Sequence, residues 1–108
     1  MLNQIVLVGR LVKEPELKET EEGKKVSNIT LAVPRSYKNT EGVYDTDFID
    51  CVLWGGIAEN TAEYVQKGDL IGVKGKIQTN ETDGKKYTNI VAEKVTFLSN
   101  KKDLDNER

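Results

Sequence analysis

The segment 46–54 constrains the fold most strongly, because its pattern fits one β-strand with two unlike faces. Side chains alternate between the faces of a strand. One face carries small to medium apolar residues, namely Ile49, Cys51 and Leu53. The other face carries two rings with a carboxylate between them, as Phe48, Asp50, Val52 and Trp54. A core face would not normally hold Asp50, so the segment predicts a sheet with a buried aliphatic face and a second face that presents flat rings.

The rings of Phe48 and Trp54 allow two interpretations. Rings spaced along a sheet commonly stack on nucleobases. Alternatively, they fill a second small core under a helix or a partner subunit. This strand alone slightly favours the second interpretation.

Length and composition exclude several classes of protein. At 108 residues the chain can bury one core, and no apolar run approaches the length of a membrane helix. The first residues lack the pattern of a signal peptide, which indicates a cytoplasmic protein. The single cysteine, Cys51, cannot form an internal disulfide, and its place on the core face predicts an inert thiol.

Enzyme chemistry has little support in this sequence. Histidine is absent, which removes the commonest general base and the commonest metal ligand. With one cysteine and no histidine a zinc site is excluded. The segment 72–76 is rich in glycine and lysine but is not a phosphate loop, because Leu70 and Ile77 stand where that motif needs Gly and Ser or Thr. We therefore expect no catalytic residue, no metal and no cofactor.

The charge balance argues against a binder of duplex DNA. The net charge is −2, from 16 basic and 18 acidic residues. A basic groove can nevertheless coexist with an acidic rim. Acidic residues crowd the segment 14–22, whereas four lysines crowd a later part of the chain, at Lys74, Lys76, Lys85 and Lys86.

The order of elements predicts an all-β OB-fold, a five-stranded Greek-key barrel with one helix between strands 3 and 4. Five strands could also form another small barrel, and the helix after strand 3 is the feature that favours the OB arrangement. The predicted strands are 4–12, 26–33, 46–54, 70–79 and 87–98, and the predicted helix is 57–67. The OB domain is expected to cover residues 1–99, followed by a charged flexible tail at 100–108.

Individual residues mark the ends and faces of these elements. Pro34 is expected to end the second strand or to mark an edge. Lys67 and Gly68 read as the stop signal of the helix. Ile77 is assigned to the core face of the fourth strand. Asp83-Gly84 is a strong hairpin turn, and the long last strand is expected to contain a bulge.

Several short segments, in this order and spacing, resemble the bacterial single-stranded DNA-binding protein (SSB) family. They are residues 1–10, Pro15-Glu16-Leu17, Asn28-Ile29-Thr30-Leu31-Ala32-Val33, Arg35-Ser36-Tyr37, Asp47-Phe48-Ile49, Val52-Leu53-Trp54, Ala58-Glu59 and Lys67-Gly68. No single segment is specific, but together they extend from the first residue to about Leu98 without large insertions.

The resemblance implies an OB-fold that assembles as a homotetramer with single-stranded DNA wrapped around it; a dimer is the alternative. The family's base-stacking positions fall on Tyr37, Phe48 and Trp54, which moves the balance against buried rings. Its basic positions fall on Arg10, Arg35, Lys38, Lys67 and Lys86. Strand alternation, rather than the resemblance, adds Lys74 and Lys76 to the outward face.

Three departures from the family pattern predict weaker DNA binding. The hairpin after Thr79 lacks the usual aromatic residue and arginines. Gly55-Gly56 follows Trp54 where a basic residue is common. The chain also ends at Arg108 without the acidic, aromatic tip that recruits replication and repair proteins, so recruitment through such a tip is not expected.

Two functions of different classes remain. The first is sequence-independent binding and protection of single-stranded DNA in replication, recombination and repair, in the cytoplasm at the nucleoid. The second is an SSB-like protein-interaction subunit of the primosomal type, which the acidic balance and the depleted hairpin favour. The first strand is apolar on both faces over residues 5–8, which predicts that another subunit covers one of them.

Overall fold

The structure, a computed structural model, describes residues 2–98. Its elements in chain order are β1 (Ile5–Leu11), β2 (Lys18–Glu19), β3 (Lys25–Lys38), β4 (Tyr44–Trp54), α1 (Gly55–Tyr64), β5 (Leu70–Thr82) and β6 (Lys85–Phe97). The predicted tail 100–108 and residue 99, the predicted end of the domain, lie outside the described residues.

Five strands close into a barrel. Neighbouring strands follow the order β1-β5-β6-β4-β3, and β1 also pairs with β3, which closes the ring. The β4–β6 pair is parallel, with Cys51 opposite Ile90 and Val52 opposite Val91, whereas the other pairs are antiparallel. The two-residue strand β2 adds to the start of β3 and was not predicted. A closed five-stranded barrel with its helix after β4 confirms the predicted OB-fold.

The core fills the barrel interior with the inward residues of each strand. Cys51 and Leu53 of β4 are 1% and 0% exposed, as their alternation predicts. The buried hydrophobic residues are Leu11, Ile29, Leu31, Cys51, Leu53, Ala58, Val65, Ile71, Val73, Ile90 and Ala92. Each of the five barrel strands contributes inward positions that alternate with outward ones, so the register of a strand fixes which of its side chains face outward.

Helix α1 is shifted relative to the prediction, which is wrong at both ends. The helix begins at Gly55, whose φ of 60° suits glycine, and it ends at Tyr64. Val65 is already extended, and its N–H donates to the Thr61 carbonyl. Lys67 and Gly68 therefore do not end the helix; they belong to the turn that follows.

Strand β3 runs past Pro34, so Pro34 does not end the strand; it marks an edge, the other alternative, because β1 pairs with β3 only at residues 31–32 and Pro34 pairs with β4 alone. Pro34 lies opposite Thr46, and pairing resumes at Lys38 opposite Tyr44 after an irregularity. Proline lacks the N–H that regular pairing needs, and an irregular stretch tolerates that loss. Tyr37 consequently lies on a strand that extends from the barrel, rather than in a loop.

The β5–β6 hairpin agrees with the sequence in its turn and its bulge. Asp83 and Gly84 both have positive φ, 52° and 78°, as a tight two-residue turn requires. Lys74 lies opposite Lys94 and Gly75 opposite Ala92, so the expected bulge is present in β6.

One assignment on β5 is wrong. Ile77 was placed on the core face, but it is 44% exposed. Its backbone is nevertheless held, because the Asn3 side chain accepts from the Ile77 N–H and donates to the Ile77 carbonyl at 2.9 Å each. Ile77 lies where the hairpin extends beyond the core. Its side chain still points to the inward side of β5, but no core residues cover it there.

We expect Gly75→Ala to destabilise the fold by about 1–3 kcal/mol, the usual range for overpacking. A Cβ at Gly75 would collide with the Val91 carbonyl, whereas a Cβ at Gly72 meets nothing closer than 3.6 Å. Urea unfolding at one protein concentration measures the difference, with Gly72→Ala as the matched control. Equal stability of the two variants would contradict this close packing at the bulge.

We also expect the Cys51 thiol to be unreactive in the folded protein. Burial raises the pKa of Cys51 to about 12, so the nucleophilic thiolate is scarce at pH 8. A chromogenic disulfide reagent should label the thiol rapidly in urea and slowly without it. Equal labelling rates in the two conditions would contradict the buried position.

Candidate nucleic-acid interface

The outward face of β4 exposes the rings that the sequence singled out. Phe48 is 67% exposed and Trp54 is 43% exposed, while Cys51 and Leu53 on the opposite face are buried. The predicted alternation is confirmed, and within residues 2–98 the two rings form no second core. Six residue steps separate the rings, which corresponds to roughly 20 Å along an extended strand.

A third ring lies on the part of β3 that extends beyond Pro34. Tyr37 is 63% exposed. Its neighbour Lys38 lies opposite Tyr44 of β4, with the Lys38 Nζ 5.7 Å from the centre of the Tyr44 ring. This geometry is a cation–π contact, which holds one of the predicted basic residues beside an aromatic surface.

Arg10 shares a cross-strand row with Phe48. Arg10 of β1 lies opposite Ala32 of β3, and Ala32 lies opposite Phe48. The small Ala32 side chain lies in a surface cavity of about 410 Å³ between Arg10 and the start of β4. The Arg10 guanidinium donates to the Gly68 carbonyl at 3.0 Å, which fixes it near Lys67 in the turn after α1.

Arg35 is engaged by carboxylates, which the sequence interpretation missed. Its Nε and one terminal nitrogen donate to the two Asp47 oxygens, each at 3.0 Å, and Asp45 lies 3.9 Å away. The Asp47 carboxylate, by hydrogen bond and charge, raises the pKa of Arg35, and Arg35 lowers the pKa of Asp47. Arg35 is therefore always charged, but a phosphate would have to compete with Asp47 for its donors.

The predicted lysines do not gather in one place. Lys74 and Lys76 point outward from β5, and β5 is separated from β4 by β6. Lys86 lies opposite Glu81, close to the hairpin turn. The backbone N–H of Lys67 donates to the Glu14 carboxylate at 3.2 Å, and its side chain is exposed.

Three exposed rings and both surface cavities were not predicted, and Tyr64 of α1, at 64%, is the most exposed of these rings. Tyr44 is 52% exposed and Tyr87 is 50% exposed. Tyr44 lies four residues before Phe48, so extending the alternation of β4 by one pair of positions would have found it. A surface cavity of about 260 Å³ beside Asp50 also escaped notice, because its lining comes from three strands and the segment after β1.

The described residues offer no cluster of metal-ligating side chains. Within residues 2–98 no three His, Cys, Asp or Glu side chains cluster in a way that could hold a metal ion. The one helix of that region, α1, has 10 residues, and it is neither long nor apolar enough to cross a membrane.

Comparison with known proteins agrees with this geometry. The model of the single-strand binding protein family matches residues 2–98. The chain is 45% identical to the single-stranded DNA-binding protein B of Bacillus subtilis over 106 residues, which cover 94% of each protein.

Longer relatives match at similar levels. Single-stranded DNA-binding protein 3 of Listeria innocua is 50% identical, and the match covers 94% of this chain and 66% of that protein. The single-stranded DNA-binding protein of Halalkalibacterium halodurans is 48% identical, with 91% and 61% covered. With a family model matching the whole described region, the chain belongs to the single-strand binding protein family.

Proposed function

We propose that this protein binds single-stranded DNA independently of sequence by stacking bases on the outward rings of β3 and β4. The observation that carries the proposal is the exposure of Tyr37, Phe48 and Trp54 on two paired strands whose opposite faces build the core. Each base stacked on such a ring contributes about 1–3 kcal/mol, and stacking tolerates any base.

Phosphate contacts supply the second part of the binding. Arg10 lies in the cross-strand row of Phe48 and donates to the carbonyl of Gly68, the residue after Lys67, and Lys38 lies beside Tyr44. Strands β5 and β6 carry Lys74, Lys76 and Lys86. These lysines would contact phosphates of a single-stranded DNA that winds around the barrel. Arg35 would mainly stabilise the part of β3 and β4 that extends from the barrel, through its hydrogen bonds to Asp47. It would contact DNA only after one of these hydrogen bonds breaks.

The relatives named above are single-stranded DNA-binding proteins, and this chain would serve the same process. Coating exposed single strands protects them during replication, recombination and repair. Such a role belongs in the cytoplasm at the nucleoid. Recruitment of replication and repair proteins is not assigned to any described residue.

A protein-interaction subunit of the primosomal type is the second candidate. The acidic balance of the chain and Asp50 on the proposed face favour it, whereas Asp45 and Asp47 of the same strand are engaged with Arg35. Negative charge there repels phosphates and suits a basic protein surface. The three exposed rings serve either function, so DNA binding has to be measured directly.

Self-association completes the proposal. Val6 and Val8 on the outward face of β1 are 69% and 48% exposed, and the outward side chain next to Val6 on β5 is Lys74. Ile5 and Leu7 on the other face pack against the core. An apolar pair in the middle of a strand is suited to a second copy of the chain, and we propose a homotetramer, with a dimer as the alternative.

Titration with poly-dT, followed by the fluorescence of Trp54, is expected to show deep quenching that salt weakens. Trp54 is the only tryptophan, so the signal reports on one position. The logarithm of the affinity should fall with the logarithm of the salt concentration with a slope of about −0.7 per phosphate neutralised. Phe48→Ala should weaken binding about 5- to 150-fold, from the loss of one stacked base.

Tyr64→Ala is the matched control for that titration. Tyr64 is 64% exposed at the end of α1 opposite to Trp54, where its ring lies 6.2 Å from the ring of Phe97 of β6, so its loss should leave affinity unchanged. Unchanged Trp54 fluorescence, together with no band shift at low salt, would reject DNA binding and favour the protein-interaction function.

Replacing both Val6 and Val8 with Asp is expected to reduce the sedimentation coefficient to that of a smaller species. The substitutions place charge on the apolar pair without touching the core, so the far-ultraviolet circular dichroism should stay the same. Wild type is expected to sediment as a tetramer, or as a dimer in the alternative. A wild-type protein that sediments as a monomer would reject the assembly.

A further inference from the structure

A polar cavity lies in the middle of the proposed stacking face. Its volume is about 260 Å³, and its lining includes Asn28 and Thr30 of β3, Asp50 of β4, Asn89 of β6 and Lys13. Ligand pockets for larger molecules occupy about 300–1,000 Å³, so this one suits a single nucleobase.

Asp50 is the chemically distinctive group of this cavity. It lies on the outward face of β4, two residues after Phe48 and four before Trp54. The Thr30 hydroxyl donates to Asp50 Oδ1 at 2.8 Å, which orients the carboxylate. Among the hydrogen bonds of the described residues, Oδ2 has no partner, so it remains able to accept.

A carboxylate at this position is unfavourable for a phosphate and favourable for a base edge. The charge of Asp50 repels the DNA backbone, which the basic residues would hold, Lys13 of the cavity lining among them. An ionised carboxylate only accepts hydrogen bonds, and it has two oxygens side by side. Its best partner on a base is therefore a pair of adjacent N–H donors.

Guanine alone among the four bases presents such a pair, the N1–H and the 2-amino group. Thymine has one N–H between two carbonyl oxygens, which would repel the second oxygen of Asp50. Cytosine and adenine each place one amino group beside a ring nitrogen that accepts. The amides of Asn28 and Asn89, which line the same cavity, can donate to the guanine O6.

We propose that the Asp50 cavity receives the Watson–Crick edge of a guanine and gives this protein a modest preference for guanine-containing single strands. This inference rests on the proposed binding of single-stranded DNA. A base stacked on Phe48 lies about 7 Å from the Asp50 position along β4, within reach of an adjacent nucleotide. The preference is superimposed on stacking that accepts any base.

The test compares three labelled oligonucleotides of about 12 nucleotides, a length within the range that OB folds cover. One is all dT, one carries a single central dG, and one carries deoxyinosine there. Deoxyinosine keeps the N1–H and O6 of guanine but lacks the 2-amino group. Only one dG is used, because strands with several guanines can form quadruplexes. We expect wild type to bind the dG strand about fivefold more tightly than the other two, as measured by fluorescence anisotropy.

Asp50→Asn should abolish this preference. The amide keeps an oxygen for Thr30 but puts a donor where the second acceptor was. Glu63→Gln is the matched control, because it removes the same charge from an exposed position on α1 and should keep the preference. Melting temperatures of both variants verify folding.

The remaining outcomes separate the inference from the function on which it rests. Equal affinity of wild type for all three strands would overturn the inference and leave DNA binding intact. Equal tightening of all three by Asp50→Asn would also overturn it, because Asp50 would then only repel phosphates. Failure to bind any strand would reject the proposed function, and the inference with it.

Discussion

The pairing of β1 with both β3 and β5 is the contact on which the rest of the structure depends. Arg10 and Leu11 lie opposite Ala32 and Leu31 of β3, while residues 5–10 pair with β5, so one short strand closes the barrel. The strands must approach closely at this seam. A Cβ at Gly9 would lie 2.8 Å from the Ala32 carbonyl oxygen, and only glycine leaves enough room there.

Closure also determines where the candidate binding surface lies. Once the ring is closed, each strand has one inward and one outward set of side chains, and the register of β4 fixes both sets together. A slip by one residue would turn Phe48 and Trp54 inward and would expose Cys51 and Leu53. Burial of Leu53, which is 0% exposed, therefore also orients the rings on the opposite face of the same strand.

Much of this arrangement could be predicted from the sequence because it follows from local rules. Alternation predicted the two faces of β4, and the Asp-Gly pair predicted the turn at Asp83. The prediction failed where tertiary context decides. Gly55 starts a helix instead of only breaking a strand, because its positive φ lets the chain turn directly from β4. The carboxylate partner of Arg35 lies 12 residues away, and only the pairing of β3 with β4 brings it within 3.0 Å. The cavity beside Asp50 needs three strands, so no short segment reveals it.

The distribution of charge gives the proposed surface its particular character. Basic residues lie around the barrel at separated points, whereas the centre of the ring-bearing face holds Asp50, and the β3–β4 extension holds Arg35 in a carboxylate pair. A net charge of −2 adds no long-range attraction for a polyanion. On the proposed function, stacking and hydrogen bonds to bases must therefore contribute a larger share of the affinity than phosphate contacts do. If Asp50 receives a guanine edge as proposed, such a surface would discriminate more between bases than a uniformly basic groove, because its central carboxylate accepts hydrogen bonds from a base edge and repels phosphates.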